Sequence, residues 1–549
     1  MINFNIARRA VARRARRIFS TSLALAAFFV VIASGAQAGI QSGVLISLAD
    51  GDVQGQFANG TREFLGIPYA APPVGPLRFR PPATVAPWLS TLDATTYPAA
   101  CPQNQGTIGS ASTEEDCLFL NVWTSETAPA EPLPVMVWIH GGSNTSGSIS
   151  DLVPFPPFET ERLYNAAKLS SFGEVVVVTV NYRLGAFGFF PHADLIGEDP
   201  SYPYAGNQGL LDQRAALLWV RDNITEFGGD PEKVTIFGES AGSWDVCAHV
   251  VSPMSEGLFH RAISQSGGCS AGVNTQDAGH AAASAISAAV GCGGAPDELA
   301  CLRAVPVQDL IDNFSVGYSG SEINTSIAVD GSFMPDTAKN LFDSGEFSRV
   351  PYMLGANNDE GSLFFIGADP ILTGEEYTAE LFDRFGDFTP QVEAVYPSNF
   401  AGSPQKSLIR VFGDAGLVCA TYDVANRVSA ARRTKTRKRA KVFAYSFARV
   451  IPLEFVALLD LGAFHGAEIA YVFGSVLPPT SLDLLISETM QSFWTSFADR
   501  GRPRAKRPKG WRKFRAKSWK GMRFGRVVEK QKGYRKAQCE FWSDYYDTL

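Results

Sequence analysis

Along this chain the apolar residues follow two spacings. Pro134 to Ile139 and Val175 to Tyr182 are near-continuous apolar runs, the pattern of strands covered on both faces. Val350 to Leu354 and Val442 to Phe447 repeat it. Leu210 to Phe227 instead carries Leu211, Ala215, Leu218 and Trp219 at helical spacing. It leads into a short apolar strand, Val234 to Phe237, and then a helix-compatible segment from Trp244 to Val251. Upstream, Gly39 to Phe64 reads as short strands joined by Gly and Asp turns, an antiparallel portion ahead of the rest. Strands alternating with helices predict an α/β fold, a central mostly parallel sheet flanked by helices, with long insertions. No repeat or linker interrupts the pattern, so residues 39–549 are expected to form one domain.

The first 38 residues do not fit that pattern. Six arginines between Arg8 and Arg17 precede an apolar run from Leu23 to Ile32, and Ala36-Gln37-Ala38 has the small-residue form of a cleavage site. This predicts an export signal at 1–38 and a secreted or periplasmic protein beginning at Gly39. Arg16-Arg17-Ile18-Phe19 leaves a twin-arginine route open beside the general one. The apolar run is too short to span a bilayer, and no later run reaches that length, so no membrane span is expected after signal removal.

The 549 residues carry a formal charge of -7, and removing six arginines leaves -13. An acidic exported chain is not expected to bind nucleic acid. Two basic runs oppose the trend, Arg432 to Lys441 and Arg500 to Lys536; solvated surface is the ordinary explanation and an anionic-surface contact the other. Eight cysteines in an exported chain should mostly pair. With no C-x-x-C and few scattered histidines, no metal or cofactor is expected.

Candidate chemistry centres on Gly238-Glu239-Ser240-Ala241-Gly242, between the Val234 strand and the following helix. Strand, G-x-S-x-G and helix form a nucleophile elbow, a turn so tight that its flanks must be small. A serine hydroxyl is a weak nucleophile and needs a base. In the α/β-hydrolase order of serine, acid, histidine, His140 and His192 come too early. His249, His260 and His280 leave too little chain for an acid-bearing strand. His465, flanked by Gly462 and Gly466, remains, and its ordinary pKa predicts loss of activity below about pH 6–7. The acid belongs on the loop after Val350–Gly355, where Asp359 and Glu360 both qualify. Trp138-Ile139-His140-Gly141-Gly142-Ser143 ends a strand in a glycine turn, so the oxyanion donors are expected to be the N–H groups of Gly142, Ser143 and Ala241.

These motifs, with Glu115-Asp116-Cys117-Leu118, Gly66-Ile67-Pro68-Tyr69-Ala70 and Phe227-Gly228-Gly229-Asp230-Pro231, resemble the type-B carboxylesterases, a family that includes cholinesterases and lipases. The resemblance covers essentially all of the chain from Gly39. It implies the α/β-hydrolase fold and hydrolysis of small-molecule carboxylic esters through an acyl-enzyme. It selects Glu360 as the acid with Ser240 and His465, and gives Ser266 a supporting role beside it. It also implies the disulfides Cys101–Cys117, Cys292–Cys301 and Cys419–Cys539, leaving Cys247 and Cys269 as buried free thiols. Departures bear on the substrate. Ser143 replaces the usual third glycine and is expected to narrow the pocket; the loop 102–116 has no tryptophan and is a poor amphipathic lid. Residues 151–158 are a candidate rim, and Trp244, Phe364 and Phe365 are candidate pocket walls. A lipase or a hydrolase of bulky esters is the alternative enzyme, and a catalytically silent adhesion or scaffold protein the alternative of another class.

Overall fold

The valines of the central runs sort the molecule into two cores. In the strand Leu133–Ile139, residues Val135, Val137 and Ile139 join one apolar cluster while Met136 and Trp138 join a second. The strand Val176–Val180 divides in the same way, with Val177 alone on the second side. Side chains alternate across a strand, so one sheet feeds both cores. Each Val or Ile withdrawn from water in this way contributes about 1.5–3 kcal/mol.

The structure is a computed structural model that describes residues 41–548 except 107, 154–160, 270–274, 318–326, 369, 372, 432–438 and 477–478. The expected signal, the candidate rim beyond Val153 and most of the basic run from Arg432 lie outside the described residues.

Among the described residues thirteen strands form one mixed sheet. β1 (Gln41–Leu48), β2 (Gly51–Ala58) and β3 (Thr61–Pro68) are antiparallel, with the short β4 (Leu92–Asp93) beside β2. β5 (Phe119–Ser125) joins them to β6 (Leu133–Ile139), β7 (Val176–Val180), β8 (Gly229–Glu239), β9 (Arg261–Gln265), β10 (Tyr352–Asn357), β11 (Val442–Phe447) and β12 (Lys520–Phe524). The order β7-β6-β8-β9-β10-β11-β12 is parallel throughout, and β13 (Val528–Lys532) closes that edge antiparallel to β12. Helices α1 (Gln208–Asn223), α2 (Ala241–Val251) and α3 (Cys419–Ala430) pack into the first core, and α4 (Ser481–Arg500) into the second. The elbow strand and helix are longer than the apolar spacing predicts: β8 starts at Gly229, and α2 begins immediately after Ser240.

All eight cysteines are paired. Cys101–Cys117, Cys292–Cys301 and Cys419–Cys539 are formed, and so is Cys247–Cys269, which corrects the expectation of two free thiols. The physical reason is topological. β8 and β9 are neighbouring parallel strands, so the helix after one runs beside the segment after the other, and the two Cα atoms lie 5.8 Å apart.

Candidate active site

Ser240 sits where β8 turns into α2, with φ 57° and ψ -122°. That conformation is costly for a residue with a Cβ, on the order of 1–3 kcal/mol, and persists only where the surroundings enforce it. Ser240 N–H donates to Gln265 O (2.9 Å), while Ser240 O accepts from Ser243 and Trp244. A Cβ at Gly238 would lie 2.4 Å from Gly242 O, and one at Gly242 would lie 2.1 Å from Ile139 O. The two glycines thus let the elbow close and press against the end of β6.

The loop after β6 completes that contact. Gly142, Ser143 and Asn144 take consecutive positive φ values of 106°, 57° and 53°. A Cβ at Gly142 would fall 2.0 Å from Ser146 O, so only glycine fits there, whereas Ser143 adopts its conformation despite a side chain. Asn144 holds the loop in place. Its carbonyl accepts from Gly185 N (2.7 Å), its amide donates to Asp245 Oδ1 on α2 (3.0 Å), and its Oδ1 accepts from Tyr182 OH (3.0 Å). Asp245 also accepts from Gln213 of α1 (2.6 Å), whose Oε1 lies 3.0 Å from His249 Nε2. This buried polar chain couples the loop carrying Gly142 and Ser143 to the helix carrying Ala241. Ala241 is the first residue of α2, where an N–H has no acceptor within the helix.

His465 Nδ1 lies 2.6 Å from Glu360 Oε2, and Glu360 Oε1 accepts from Asn357 N (2.5 Å). The other loop acid is used differently: Asp359 pairs with Arg410 (3.2 Å) and accepts from Ala463 N (2.9 Å). Asn357, the last residue of β10, is a hub. Its amide donates to Phe464 O (2.8 Å) and Glu468 Oε2 (2.5 Å), joining the acid loop to the histidine loop. His465 Nε2 is buried without a hydrogen bond and lies 3.3 Å from Glu239 Oε1, the carboxylate of the residue before Ser240. The imidazole and the elbow are therefore neighbours.

Three buried carboxylates surround that imidazole. Burial alone pushes the His465 pKa down, but Glu239 and Glu360 together raise it to about 9. Burial also raises Glu239, to about 8, and Glu468, to about 7. A protonated Glu239 no longer holds His465 up, so the cluster exchanges protons as a unit. The direction is upward from the ordinary imidazole value, because the Glu239 and Glu360 carboxyl groups face the ring and outweigh its burial. His140 and His249, excluded above by chain order, are buried and pushed down to about 4 and about 3.

Ser266 follows β9, is fully buried at φ 56°, and its Oγ has no hydrogen-bond partner, so it does not bond Glu360 directly. Phe364 lies 5.1 Å from the His465 ring and packs on Phe412, which also meets Phe365; Trp244 packs beside Gly267. Phe412, Glu239, Asn144, Asp245 and Glu468 were not singled out from the sequence. Glu239 alone carried a visible signal, being inside the motif itself. Gln103, within the first disulfide loop, exchanges two hydrogen bonds with Gly147 at the end of the loop after β6 (3.0 and 2.7 Å). A narrow crevice beside Phe79 and Phe187 lies instead around the Arg78–Glu115 ion pair and is lined by none of these residues. Among the described residues one group offers metal-ligand atoms within 4.8 Å of one another, His192, Asp194 and Glu298. Both nitrogens of His192 are already engaged, by Asp194 N–H and Glu298, and Asp194 is exposed.

The carboxylesterase family profile matches residues 42–542. The chain is 34% identical to the para-nitrobenzyl esterase of Bacillus subtilis over 481 residues, covering 84% of this chain and 90% of that protein. It is 34% identical to the pyrethroid hydrolase Ces2a of Mus musculus over 501 residues, 84% of each chain. It is 32% identical to the fumonisin B1 esterase of Sphingopyxis macrogoltabida over 493 residues, 86% of this chain and 84% of that one. The chain belongs to the carboxylesterase family, with its α/β-hydrolase fold, and is a carboxylic ester hydrolase.

Proposed function

We propose that Ser240, His465 and Glu360 form the triad of an exported serine esterase working through an acyl-enzyme. Ser240 Oγ attacks the ester carbonyl carbon as His465 Nε2 takes the hydroxyl proton. The N–H groups of Gly142, Ser143 and Ala241 receive the oxyanion, each worth about 3–4 kcal/mol in the transition state. His465 passes its proton to the leaving alkoxide as the C–O bond breaks, leaving Ser240 acylated. Water, deprotonated by His465, attacks the acyl carbon, releases the acid and restores the serine. Glu360 keeps Nδ1–H directed at itself and stabilises the imidazolium. The observation that best supports this reading is the 2.6 Å Glu360–His465 contact beside the strained Ser240 elbow.

The substrates we expect carry an aromatic or bulky group that can rest on Phe364 and Phe412, in keeping with relatives named for para-nitrobenzyl esters and pyrethroids. An interfacial lid is disfavoured, because Gln103 pins the first disulfide loop to Gly147. Export is supported by the signal-like segment and the four disulfides. Among the described residues no helix is long and apolar enough to cross a membrane.

Ser240→Ala should abolish hydrolysis of p-nitrophenyl and p-nitrobenzyl esters, with a loss on the order of 10⁶ in kcat. It should also abolish covalent labelling by a fluorophosphonate, with the circular dichroism unchanged. Full activity in that variant would overturn the assignment, and an inert wild type would favour the silent scaffold. Mass spectrometry of the secreted protein should find Gly39 at its amino terminus.

A further inference from the structure

Residues 500–536 hold 17 of the chain's 48 lysines and arginines and one of its 55 acids, a local charge of +16 that leaves -23 on the remainder. Nine of these cations, between Arg502 and Lys517, are all exposed, and none forms an ion pair among the described residues. They are not a loose tail. Arg504 N and O both bond Ser496 Oγ in the last turns of α4, Phe514 N bonds Val442 O, and Ala516 N bonds Ser429 Oγ. Trp511 packs on Phe493 and Phe524, and Phe514 and Trp519 pack on Tyr422. Buried aromatics thus anchor the segment while its cations face outward.

Those bonds also locate it. Val442 opens β11, Gly501 lies against Pro351 just before β10, and Asp499 O bonds Arg261 at the start of β9. The cations therefore cover the amino ends of β9 to β12. Ser240, Glu360 and the oxyanion loop follow the carboxyl ends of β8, β10 and β6. Adjacent strands are about 4.8 Å apart, so the cationic face is roughly 15–20 Å wide. Among the described residues it carries no exposed large apolar side chain between 500 and 520.

We propose that this face docks the protein electrostatically on an anionic phospholipid surface, with the catalytic end turned away into solvent. A plane of negative charge meets one face of the molecule at a time. A soluble linear polyanion long enough to use all the cations would run onto the acidic remainder and be repelled. Without an apolar wedge the contact rests on charge, is screened within a Debye length of about 8 Å, and reverses with salt.

The test uses the full mature protein and the variant Arg502→Gln/Lys506→Gln/Lys509→Gln/Lys513→Gln, none of which touches the site. Vesicles of phosphatidylcholine containing one-third phosphatidylglycerol should sediment the wild type at low salt and release it near about 0.5 M salt. Pure phosphatidylcholine vesicles should not sediment it, and the variant should lose about a hundred-fold or more in partition. Hydrolysis of a soluble p-nitrophenyl ester should match in both proteins, which shows the variant is folded. Equal partition of variant and wild type, or binding to neutral vesicles, overturns the proposal. So does retention on heparin without sedimentation by the anionic vesicles, which would assign the face to a linear polyanion.

Discussion

At the carboxyl ends of the strands carboxylates are buried, among them Glu239, 3% exposed, Glu360, 1%, and Glu468 and Asp245, 0%. At the amino ends nine cations are exposed to solvent. The two ends use charge by different physics. A buried carboxylate must be hydrogen-bonded or protonated. Glu360 is held by Asn357 N and His465, Glu468 by Asn357 and Gln265, and Asp245 by Asn144 and Gln213. Glu239 is the exception, for its Oε1 has no hydrogen bond and faces His465. Charge at that end therefore acts between groups in direct contact, through hydrogen bonds and shared protons. Charge at the other end acts as a screened sum in which no single cation matters.

If single buried groups govern the catalytic end, neutralising one of them should have a large effect. Glu360→Gln leaves the shape intact but removes the charge that fixes the tautomer of His465, and kcat should fall by about 10⁴-fold. Asp359→Asn, one residue away, should cost less than about tenfold, because Asp359 serves Arg410 and the Ala463 backbone. Steady-state kinetics on both variants checks this, and equal losses would erase the distinction between the two acids.

A smaller effect is expected one contact further out. Asp245→Ala removes the partner of Asn144 and frees the oxyanion loop relative to α2. We expect kcat to fall about 10–100-fold with KM little changed, since the lost alignment matters only as charge develops on the oxyanion. A rise in KM at constant kcat would instead make Asp245 a determinant of substrate binding.

The strand, elbow and helix around Ser240 were legible in the sequence because each is written in consecutive residues. His465 stood out as the candidate base because few histidines survive the constraint of chain order. What stayed hidden depends on contacts between distant residues. Asn144 and Asp245 are 101 positions apart, and nothing in either neighbourhood announces the pairing. Asp359 and Glu360 are adjacent in a loop, and the spacing cannot say which carboxylate turns inward. The answer lies with Arg410 and Ala463, which occupy Asp359. The Cys247–Cys269 bridge was missed for the same reason, since it follows from β8 and β9 being neighbours.

Glu239 gives a subtler readout. With His465 as the proposed base, activity needs its neutral form, so a carboxylate that raises the imidazole pKa moves the acid limb of kcat/KM to higher pH. Removing that charge must move the limb down. For Glu239→Gln we expect a downward shift of about one unit or more toward the ordinary imidazole value. The variant should then be more active than wild type below the wild-type limb, provided kcat on the plateau is retained. A stationary limb would mean that Glu239 is protonated throughout the working range and that Glu360 alone sets His465.

The smallest predicted effect sharpens the comparison most. Replacing four exposed cations by glutamine changes the net charge four times as much as Glu239→Gln does. Yet the strands between the two ends are about 20 Å long, more than two Debye lengths at physiological salt. At that distance each exposed charge contributes only hundredths of a kcal/mol, and the four together should move the acid limb by less than about 0.1 unit. The pH profile of the quadruple variant at about 0.15 M salt should therefore superimpose on that of the wild type, while its vesicle partition collapses. A limb displaced as far as in Glu239→Gln would show that field from the amino ends reaches His465 through the protein interior, and the two ends could no longer be treated as separate electrostatic systems.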